Sequence, residues 1–180
     1  SPLSRYSVKN LNTGQGDYKM DFSKIKLLVY DCDGVLTDNR VIVDECGKES
    51  VCFHRGDGLG IQKIRELGIE QLILSTEQNP VVKCRAEKLG IPAIFGAKDK
   101  KLQLKSYCTA RGISPQNVMF LGNDLNDLSV MQWVGNCGCP KDAEIEVLQI
   151  SHWVSTKNGG YGVIRELYRM LQQNRGEVCT

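Results

Sequence analysis

The stretch Ile25-Lys26-Leu27-Leu28-Val29-Tyr30-Asp31-Cys32-Asp33-Gly34 joins an apolar run to two carboxylates that are two residues apart. The run has the length and character of a buried β-strand, so the carboxylates stand where that strand opens into a loop. A carboxylate at the end of a central strand can serve as a nucleophile and a metal ligand, and its neighbour can protonate a leaving oxygen. Gly34 lets the backbone turn sharply there. The stretch therefore predicts phosphoryl chemistry at the end of the first strand.

Apolar runs alternate with amphipathic stretches along most of the chain. This alternation indicates βαβ units, and hence an α/β fold with a Rossmann-like, mostly parallel sheet and helices on both faces. Ligands of such sheets gather beyond the carboxyl ends of the strands. The predicted strands cover residues 27–30, 71–74, 93–95 and 118–121, with weaker runs near Val134 and Trp153. The predicted helices cover about 58–67, 80–89, 99–111, 125–132, 142–149 and 162–172.

The amino-terminal residues and one insertion depart from this alternation. Residues 1–23 are polar and show no sustained hydrophobic period, so we predict a flexible arm or linker there and one folded domain over residues 24–180. Residues 40–43 and 49–53 flank a glycine-containing turn at 44–48, which predicts a small β-hairpin. This hairpin is either a flap that covers the Asp31 site or a plain surface hairpin.

The charge balance and the cysteines limit the partners and the compartment. The 180 residues carry 23 basic and 21 acidic side chains, for a formal net charge of +2. This balance gives no general surface for nucleic acid or a membrane, so neither is expected as a partner. No apolar stretch approaches the ~20 residues needed to span a bilayer. The eight cysteines show no paired CxxC motifs and no zinc-ligand spacing, so we predict a reducing, cytoplasmic compartment.

Polar groups also stand at the ends of three later strands. Ser75 and Thr76 follow the strand at 71–74 and offer a hydroxyl and backbone N–H groups to a phosphate oxygen. Lys100 opens the third predicted helix and can neutralise a phosphate, although a lysine cluster at such a place is usually a solvated helix end. Residues 122–127, Gly-Asn-Asp-Leu-Asn-Asp, suit a hard cation such as Mg²⁺, or else they simply cap the next helix.

These four segments together resemble the haloacid dehalogenase superfamily, in which a DxD loop, a Ser/Thr, a Lys and an acidic loop follow successive strands. The resemblance covers essentially the whole chain after Lys24. Within the superfamily the chain looks most like the small, nearly capless phosphatases of 3-deoxy-octulosonate 8-phosphate and 3-deoxy-nonulosonate 9-phosphate. It also resembles the carboxyl-terminal domain of some CMP-sialate synthetases. The matching motifs are Asp31-Cys32-Asp33-Gly34-Val35-Leu36-Thr37-Asp38, Arg55-Gly56-Asp57-Gly58-Leu59-Gly60-Ile61 and Gly159-Gly160-Tyr161-Gly162-Val163-Ile164-Arg165-Glu166.

The resemblance implies roles for the residues of these motifs. Asp31 would attack phosphorus and become an aspartyl phosphate, while Asp33 would protonate the departing sugar oxygen and later activate water. Ser75, Thr76 and Lys100 would hold the phosphoryl oxygens. The cofactor Mg²⁺ would bind the Asp31 carboxylate, the backbone carbonyl of Asp33 and the acidic loop.

The acidic loop departs from the family pattern at one position. Asn123 stands where many relatives place a metal-binding Asp, and an Asn brings a carbonyl oxygen but no charge. Either Asp124 or Asp127 compensates, or the affinity for the metal is low. We expect Asn123 to be a neutral ligand, with Asp127 supporting it nearby.

Five further residues match substrate-binding positions of the family: Arg55, Glu77, Arg85, Lys88 and Arg165. In relatives that favour nine-carbon sugar acids, a Glu past the Ser/Thr strand and an Arg and a Lys on the next helix line the site, and Glu77, Arg85 and Lys88 match them. Arg85 and Lys88 lie on one helix face and could jointly meet a substrate carboxylate. The same segment also fits an ordinary amphipathic helix with both cations in water.

Three functions remain open on these grounds. The leading one is a Mg²⁺-dependent phosphatase of a nonulosonate (sialic-acid-type) 9-phosphate, or of the related 3-deoxy-octulosonate 8-phosphate. The second is a non-catalytic oligomerisation domain of a CMP-sialate synthetase, with a fused or associated cytidylyltransferase, but a scaffold has no physical need for the Asp31 and Asp33 pair. The third, a phosphotransferase or mutase, usually needs a larger cap. The resemblance also implies a homotetramer in which a neighbouring subunit closes the site.

Overall fold

The computed structural model of the chain describes residues 20–176, which form a six-stranded parallel sheet and a separate two-stranded hairpin. The strands are β1 (Leu27–Tyr30), β2 (Ile42–Val43), β3 (Glu49–Ser50), β4 (Glu70–Leu74), β5 (Ala93–Ile94), β6 (Val118–Leu121), β7 (Asn136–Cys139) and β8 (Trp153–Val154). The helices are α1 (Arg55–Glu66), α2 (Val81–Leu89), α3 (Lys100–Arg111), α4 (Leu128–Met131), α5 (Ile145–Ile150) and α6 (Val163–Gly176). Within residues 20–176, no helix has the length and apolar character that a membrane crossing requires.

Alternate residues of the central strand supply two separate core layers, because successive side chains of a strand point to opposite faces. Leu28 and Tyr30 pack with buried residues of α1, α2 and α6. Leu27 and Val29 pack with buried residues of α3, α4 and α5. A sheet covered on both faces needs strands that are apolar throughout, and all four residues of β1 are buried. The predicted α/β fold with a mostly parallel sheet and helices on both faces is confirmed.

The strand order creates a crevice beside β1. The sheet order is β5-β4-β1-β6-β7-β8, so the chain builds outward from β1 on one side and then crosses to β6 on the other. Where the strand order reverses, the loops after the two neighbouring strands separate and leave room for a ligand. The Asp31 N–H donates to the Leu121 carbonyl at 2.9 Å, so the loop after β1 starts beside the end of β6. The fold therefore brings the Asp31 loop and the Asn123 loop to one place.

The observed elements differ from the predicted ones mainly in their bounds. Met20 and Phe22 are buried in the core, so the packed region begins before the predicted boundary at Lys24. The weak strand expected near Val134 is β7, which starts two residues later. The helix expected over 125–132 is a 3₁₀ turn at Leu125–Asp127 followed by the short α4. Residues 1–19 and 177–180, with most of the predicted arm, lie outside the described residues.

The predicted hairpin is present as β2 and β3, with shorter strands than expected. Its turn is closed by the Asp44 carboxylate, which accepts the N–H groups of Cys46 and Lys48 at 2.9 Å each. The base of the hairpin is tied to the loop after β1 by an antiparallel bridge between Thr37 and Phe53. The hairpin thus rises from the same edge of the sheet that carries Asp31.

Candidate active site

Asp31 is the first residue after β1, and its carboxylate is almost fully buried. Its Oδ1 accepts the Cys32 N–H at 2.7 Å and lies 2.8 Å from Lys100 Nζ. Burial raises the pKa of Asp31 to about 8, Asp127 adds to that rise, and Lys100 opposes it. A divalent cation beside the carboxylate would lower this pKa, so ionised Asp31 and a bound cation favour each other. The Cys32 thiol stays protonated, because burial and the carboxylates on either side raise its pKa well above its usual range.

Lys100 reaches Asp31 from the first turn of α3. Asp99 fixes the start of this helix by accepting the Leu102 N–H at 2.9 Å. The Lys100 Nζ lies 2.6 Å from Asp127 Oδ1 as well, so one buried ammonium bridges two buried carboxylates. Burial lowers the pKa of Lys100, but the two carboxylates outweigh it and the net shift is upward. With all three groups ionised, the cluster holds one negative charge in excess.

Three oxygen atoms converge beside this cluster. The Asn123 amide oxygen lies 2.8 Å from the Asp33 backbone oxygen and 3.2 Å from Asp31 Oδ2. Neighbouring ligand oxygens of an octahedral Mg²⁺ site with ~2.1 Å bonds are roughly 3 Å apart, so this spacing fits a cation among them. Without a cation, rotating the amide by half a turn would aim its N–H group at both oxygens. The hard oxygen donors and the excess negative charge fit a divalent cation such as Mg²⁺.

The oxygens of the candidate metal site do not come from a cluster of His, Cys, Asp or Glu side chains. Within the part of the chain that the structure describes, no group of three or more His, Cys, Asp or Glu side chains is placed to hold a metal ion. The candidate site combines the Asp31 carboxylate with the Asp33 carbonyl and the Asn123 amide. Two of these three candidate donors, the Asp33 carbonyl and the Asn123 amide, are neutral.

Gly34 allows the three oxygens to meet. Its φ of +84° is in the left-handed region, and a side chain at this position would collide with the Asn123 amide. Thr37 holds the same loop, because its buried hydroxyl oxygen accepts the N–H groups of Gly34 and Asn39 at 3.2 Å each. Sequence reasoning missed this supporting role of Thr37. Its place in the motif from Asp31 to Asp38 was the one available signal.

The two acidic residues expected to ligate the metal from the loop after β6 have other partners. Asp127 is fully buried, and besides Lys100 it holds the N–H groups of Asn123 at 2.9 Å and Asp124 at 3.3 Å. Asp124 accepts the Leu125 N–H at 2.6 Å and caps the 3₁₀ turn. Asp127 lies beside Asn123 and contacts its backbone, and direct metal binding by Asp124 or Asp127 stays a prediction. Asp127 holds Lys100 and the Asn123 backbone in position, and Asp124 caps the turn that follows.

Ser75 and Thr76 follow β4 at the same edge of the sheet. β4 pairs with β1 in parallel, and Tyr30 stands opposite Ile73, so Ser75 is near the level of Asp31. Ser75 is buried, and its Oγ accepts the Glu77 N–H at 3.0 Å, whereas Thr76 is exposed. The predicted nucleophile, acid, lysine and hydroxyl groups therefore share one edge of the sheet.

A model of the haloacid dehalogenase-like hydrolases matches residues 69–167 of this chain. The matched range is more than half of the chain and contains Ser75, Lys100 and Asn123. The chain belongs to this family. This match confirms the superfamily that the sequence predicted, and the chain is a hydrolase.

Proteins similar to the hydrolase include named sugar-phosphate phosphatases. The 3-deoxy-D-manno-octulosonate 8-phosphate phosphatase KdsC of Haemophilus influenzae is 31% identical over 154 residues, which are 85% of this chain and 86% of that protein. A putative HAD family hydrolase from Streptomyces avermitilis is 45% identical with a TM-score of 0.80, over 83% of this chain and 86% of that one. A 3-deoxy-D-manno-octulosonate 8-phosphate phosphatase from Moraxella catarrhalis, solved with a magnesium ion, a phosphate ion and KDO, is 30% identical with a TM-score of 0.82. That match covers 86% of this chain and 89% of the other.

A cavity of about 280 Å³ opens beside Asp33 in the hydrolase. It lies between the hairpin, the loop after β1 and the start of α2, and Glu49 and Glu77 line it together with Asp33. Burial, and then Glu77, raise the pKa of Asp33. The structure therefore brings Glu77 into the neighbourhood of the second aspartate, and its role in substrate binding stays a prediction.

The predicted substrate-binding cations line a different cavity. Arg55, Arg85 and Lys88, together with Arg65, line a space of about 560 Å³ between α1 and α2. The Arg85 guanidinium lies 4.9 Å from the Phe53 ring centroid, and burial lowers the pKa of Arg85. The structure thus groups these cations with one another but does not place them in the Asp33 cavity.

Arg165 lines neither of these two cavities. Its side chain lies over Tyr168 of its own helix, 6.0 Å from the ring centroid, and its backbone N–H donates to Asp57 Oδ1 at 3.0 Å. Its Nη1 is buried without a hydrogen-bond partner among the described residues. The contacts of Arg165 are thus with α1 and with its own helix, and its role in substrate binding stays a prediction.

Proposed function

We propose that this hydrolase is a Mg²⁺-dependent phosphatase that releases a 3-deoxy keto-sugar acid from its terminal phosphate. The observation that carries the proposal is the meeting of the Asp31, Asp33 and Asn123 oxygens beside the Lys100 ion pair. The relatives named as 3-deoxy-octulosonate 8-phosphate phosphatases support the same class of substrate. A nonulosonate 9-phosphate is the proposed preferred substrate, and the 8-phosphate of the eight-carbon acid is the alternative.

The proposed reaction uses Asp31 as the nucleophile. Its carboxylate would attack phosphorus and form an aspartyl phosphate, while the Lys100 ammonium and the Ser75 and Thr76 groups would hold the phosphoryl oxygens. Mg²⁺, held by the Asp31 carboxylate, the Asp33 carbonyl and the Asn123 amide, would neutralise negative charge on the phosphoryl group. Positioning and charge neutralisation supply most of the acceleration in phosphoryl transfer, and this site concentrates both around Asp31.

Asp33 is the proposed general acid and base. A general acid must hold a proton near neutral pH, and burial together with Glu77 raises the pKa of Asp33 in the needed direction. Protonated Asp33 would donate to the departing sugar oxygen. Once ionised, it would take a proton from the water that attacks phosphorus, which breaks the bond to the Asp31 oxygen and releases phosphate. General acid catalysis contributes roughly 10²–10⁴-fold, so a variant without this group should retain slow phosphoryl transfer.

The proposed preference for a nine-carbon acid rests on Glu77 and on the cation pair of α2. Glu77 lines the cavity of Asp33, where it can accept hydrogen bonds from hydroxyl groups of a sugar chain. Arg85 and Lys88 share a cavity with Arg55, which would suit a carboxylate held away from the phosphate. A longer sugar chain separates its carboxylate further from its phosphate, which favours the nine-carbon acid.

The proposed assembly is a homotetramer in a reducing, cytoplasmic compartment. Val41, Ile42 and Val43 of the hairpin are 50%, 65% and 57% exposed, and burying such a run against another subunit would be favourable. None of the seven cysteines in the described residues is in a disulfide, which supports a reducing compartment. For the alternative function, an assembly domain of a CMP-sialate synthetase, the proposed partner is a fused or associated cytidylyltransferase.

Phosphate release from a panel of eight- and nine-carbon 3-deoxy keto-sugar acid phosphates, with Mg²⁺ or with EDTA, tests the function. We expect Mg²⁺-dependent release, with the highest kcat/KM for a nine-carbon 9-phosphate. Asp31→Asn should lower kcat by at least about 10³-fold, because the other catalytic groups depend on the nucleophile and contribute little without it. Glu146→Gln, on the exposed face of α5, is the matched control and should keep wild-type rates. Wild-type rates for Asp31→Asn would remove Asp31 from the mechanism, and an inactive tetramer would favour the non-catalytic assembly domain.

A further inference from the structure

The segment of residues 155–162, here named the strap, connects β8 to α6 and is anchored by a buried carboxylate. Glu166 of α6 is only 5% exposed and takes no part in the proposed reaction. It accepts the Thr156 N–H at 2.9 Å, the Thr156 hydroxyl at 2.6 Å and the Ser155 hydroxyl. A buried carboxylate is stabilised only when such donors surround it, so Glu166 fixes the first two residues of the strap onto α6.

The middle of the strap is attached to the loop of residues 140–144, which follows β7. The Lys141 N–H donates to the Lys157 carbonyl at 2.9 Å, and the Gly159 N–H donates to Asp142 Oδ1 at 2.8 Å. The same loop reaches the active site, because the Glu144 N–H donates to the Asn123 carbonyl at 2.9 Å. The loop therefore connects the strap to the backbone of Asn123, whose side chain carries one of the three converging oxygens.

Beyond this attachment the strap lies directly on the catalytic loop. The Gly160 N–H donates to the Val35 carbonyl at 3.0 Å. A Cβ on Gly160 would stand 2.5 Å from the Asp38 nitrogen and 2.6 Å from the Thr37 carbonyl carbon, and a Cβ on Gly159 would collide with the Gly34 carbonyl. Backbone packs against backbone here, so even a methyl group would have to push the loop aside.

The loop under the strap carries the Asp33 carbonyl, one residue before Gly34. A metal or catalytic constellation needs its donors held within about 0.5 Å of the productive geometry. The Asp33 carbonyl belongs to a single helical turn, Cys32–Leu36, which Gly34 interrupts with a φ of +84° and in which Asp33 itself has a non-helical backbone. A rigid cover over residues 34–38 would supply the remaining restraint.

We propose that Gly159 and Gly160 are positioning residues, and that the strap sets the Asp33 carbonyl at the distance from Asp31 and Asn123 that the cation requires. This inference rests on the proposed function for its link to turnover. The cation affinity of the free protein tests it separately, without any substrate.

The first experiment compares Gly160→Ala with Gly68→Ala. Gly160 and Gly68 have nearly equal φ values of +74° and +75°, so both variants carry the same backbone strain, but the space around a Cβ on Gly68 is empty to 4 Å. Titration calorimetry measures the Mg²⁺ affinity of the substrate-free protein. Enzyme assays give kcat and KM, and thermal denaturation gives the unfolding temperature. We expect a lower unfolding temperature for Gly160→Ala than for Gly68→Ala and, at a temperature where both variants are folded, a loss of at least about tenfold in Mg²⁺ affinity and in kcat for Gly160→Ala alone. Equal Mg²⁺ affinities in the two variants would overturn the proposal.

A second experiment keeps the proposal testable if Gly160→Ala fails to fold. Asp142 is exposed, so its replacement should not unfold the protein. Asp142→Ala removes the acceptor of the Gly159 N–H and should weaken Mg²⁺ binding about threefold or more, whereas Asp142→Asn keeps an acceptor oxygen and should restore it. Glu146→Ala removes the same charge from the neighbouring helix as a control. If Asp142→Ala binds Mg²⁺ as tightly as Glu146→Ala, the strap does not position the site. An inactive wild type that still shows these differences in Mg²⁺ affinity would refute the proposed function and leave this inference standing.

Discussion

Lys100 shows how the chemistry of one residue depends on its surroundings. By sequence it is one of three lysines around the start of α3, and such clusters are usually solvated. In the structure it is 3% exposed and bridges Asp31 and Asp127. Removing one partner of a buried ion pair leaves a charge without compensation, so these three residues depend on one another. When Asp31 is ionised, the excess negative charge of the cluster makes the neighbouring oxygens attractive to a cation.

Asn123 offers a prediction at this scale. Asn123→Asp adds a carboxylate to the converging oxygens, so we expect Mg²⁺ affinity to rise about tenfold, a gain of roughly 1.4 kcal/mol. Without Mg²⁺ the extra buried charge should lower the unfolding temperature, and Mg²⁺ should restore it. Asn126→Asp, in the same loop but exposed, is the control and should change neither quantity. Weaker Mg²⁺ binding by Asn123→Asp in calorimetry would remove Asn123 from the set of ligands.

Single residues also show where sequence reasoning about the site succeeds and fails. The positions of Asp31, Asp33 and Lys100 follow from the strand ends that carry them, and the structure brings Asp31 and Lys100 into contact. The roles of Asp124 and Asp127 do not follow, because a carboxylate in a tight turn either faces a ligand or caps nearby N–H groups. In the structure both carboxylates accept backbone N–H groups, and whether either also binds the metal stays a prediction.

At the scale of elements, the packing of α1 on α6 contains a buried carboxylate with an unusual pKa. Asp57 is 2% exposed, its Oδ1 accepts the Arg165 N–H, and its Oδ2 has no hydrogen-bond partner among the described residues. Burial raises the pKa of Asp57 from 3.8 to about 6, although the Arg165 N–H works against the rise. The carboxylate therefore ties two helices together at the cost of holding a charge in the core at neutral pH.

The raised pKa predicts how stability depends on pH. Between pH 3.8 and about 6 the folded protein keeps a proton on Asp57 that the unfolded chain has lost. The proton on Asp57 thus adds up to about 3 kcal/mol to the free energy of unfolding. This contribution is fully present below pH 3.8 and is lost as the pH rises to 6. Asp57→Asn keeps an acceptor for Arg165 and carries no charge, so it should remove this part of the pH dependence and be more stable than wild type at pH 7.5. Urea unfolding at several pH values measures both, and parallel pH profiles for the two proteins would contradict the prediction.

At the scale of the whole molecule, the hairpin is the feature that packs least on the rest. Its strands pair only with each other, and all of its residues from Val41 to Ser50 are exposed. A two-stranded hairpin is marginally stable alone, so an exposed apolar hairpin is stabilised by contact with another surface. Glu49 of the hairpin accepts a hydrogen bond from Asn79 at 3.3 Å, which holds it near the Asp33 cavity. Assembly and access to the active site are therefore physically linked in the proposed tetramer.

The apolar residues of the hairpin give the prediction for assembly. Replacing Val41, Ile42 and Val43 together by Thr, Gln and Thr keeps the tendency to form strands and removes the apolar surface. We expect the wild type to scatter light as a species of about 80 kDa, four times the chain mass of 20.1 kDa, and the triple variant as a smaller one. Leu102→Gln, which changes an exposed apolar residue on α3, is the control. A tetrameric triple variant would show that another surface holds the subunits together.

The sequence by itself determined the fold class, the family and the order of the chemical groups along the chain. These depend on local information: hydrophobic period marks strands and helices, and polar residues at strand ends mark the edge where ligands bind. Only the tertiary structure decided the contacts between segments distant in sequence. The bridge from Lys100 to two carboxylates, the separation of Glu77 from Arg85 and Lys88, and the packing of Gly160 on residues 34–38 all depend on how the elements pack in space. Distances across such contacts are set by the whole core, and no local pattern records them.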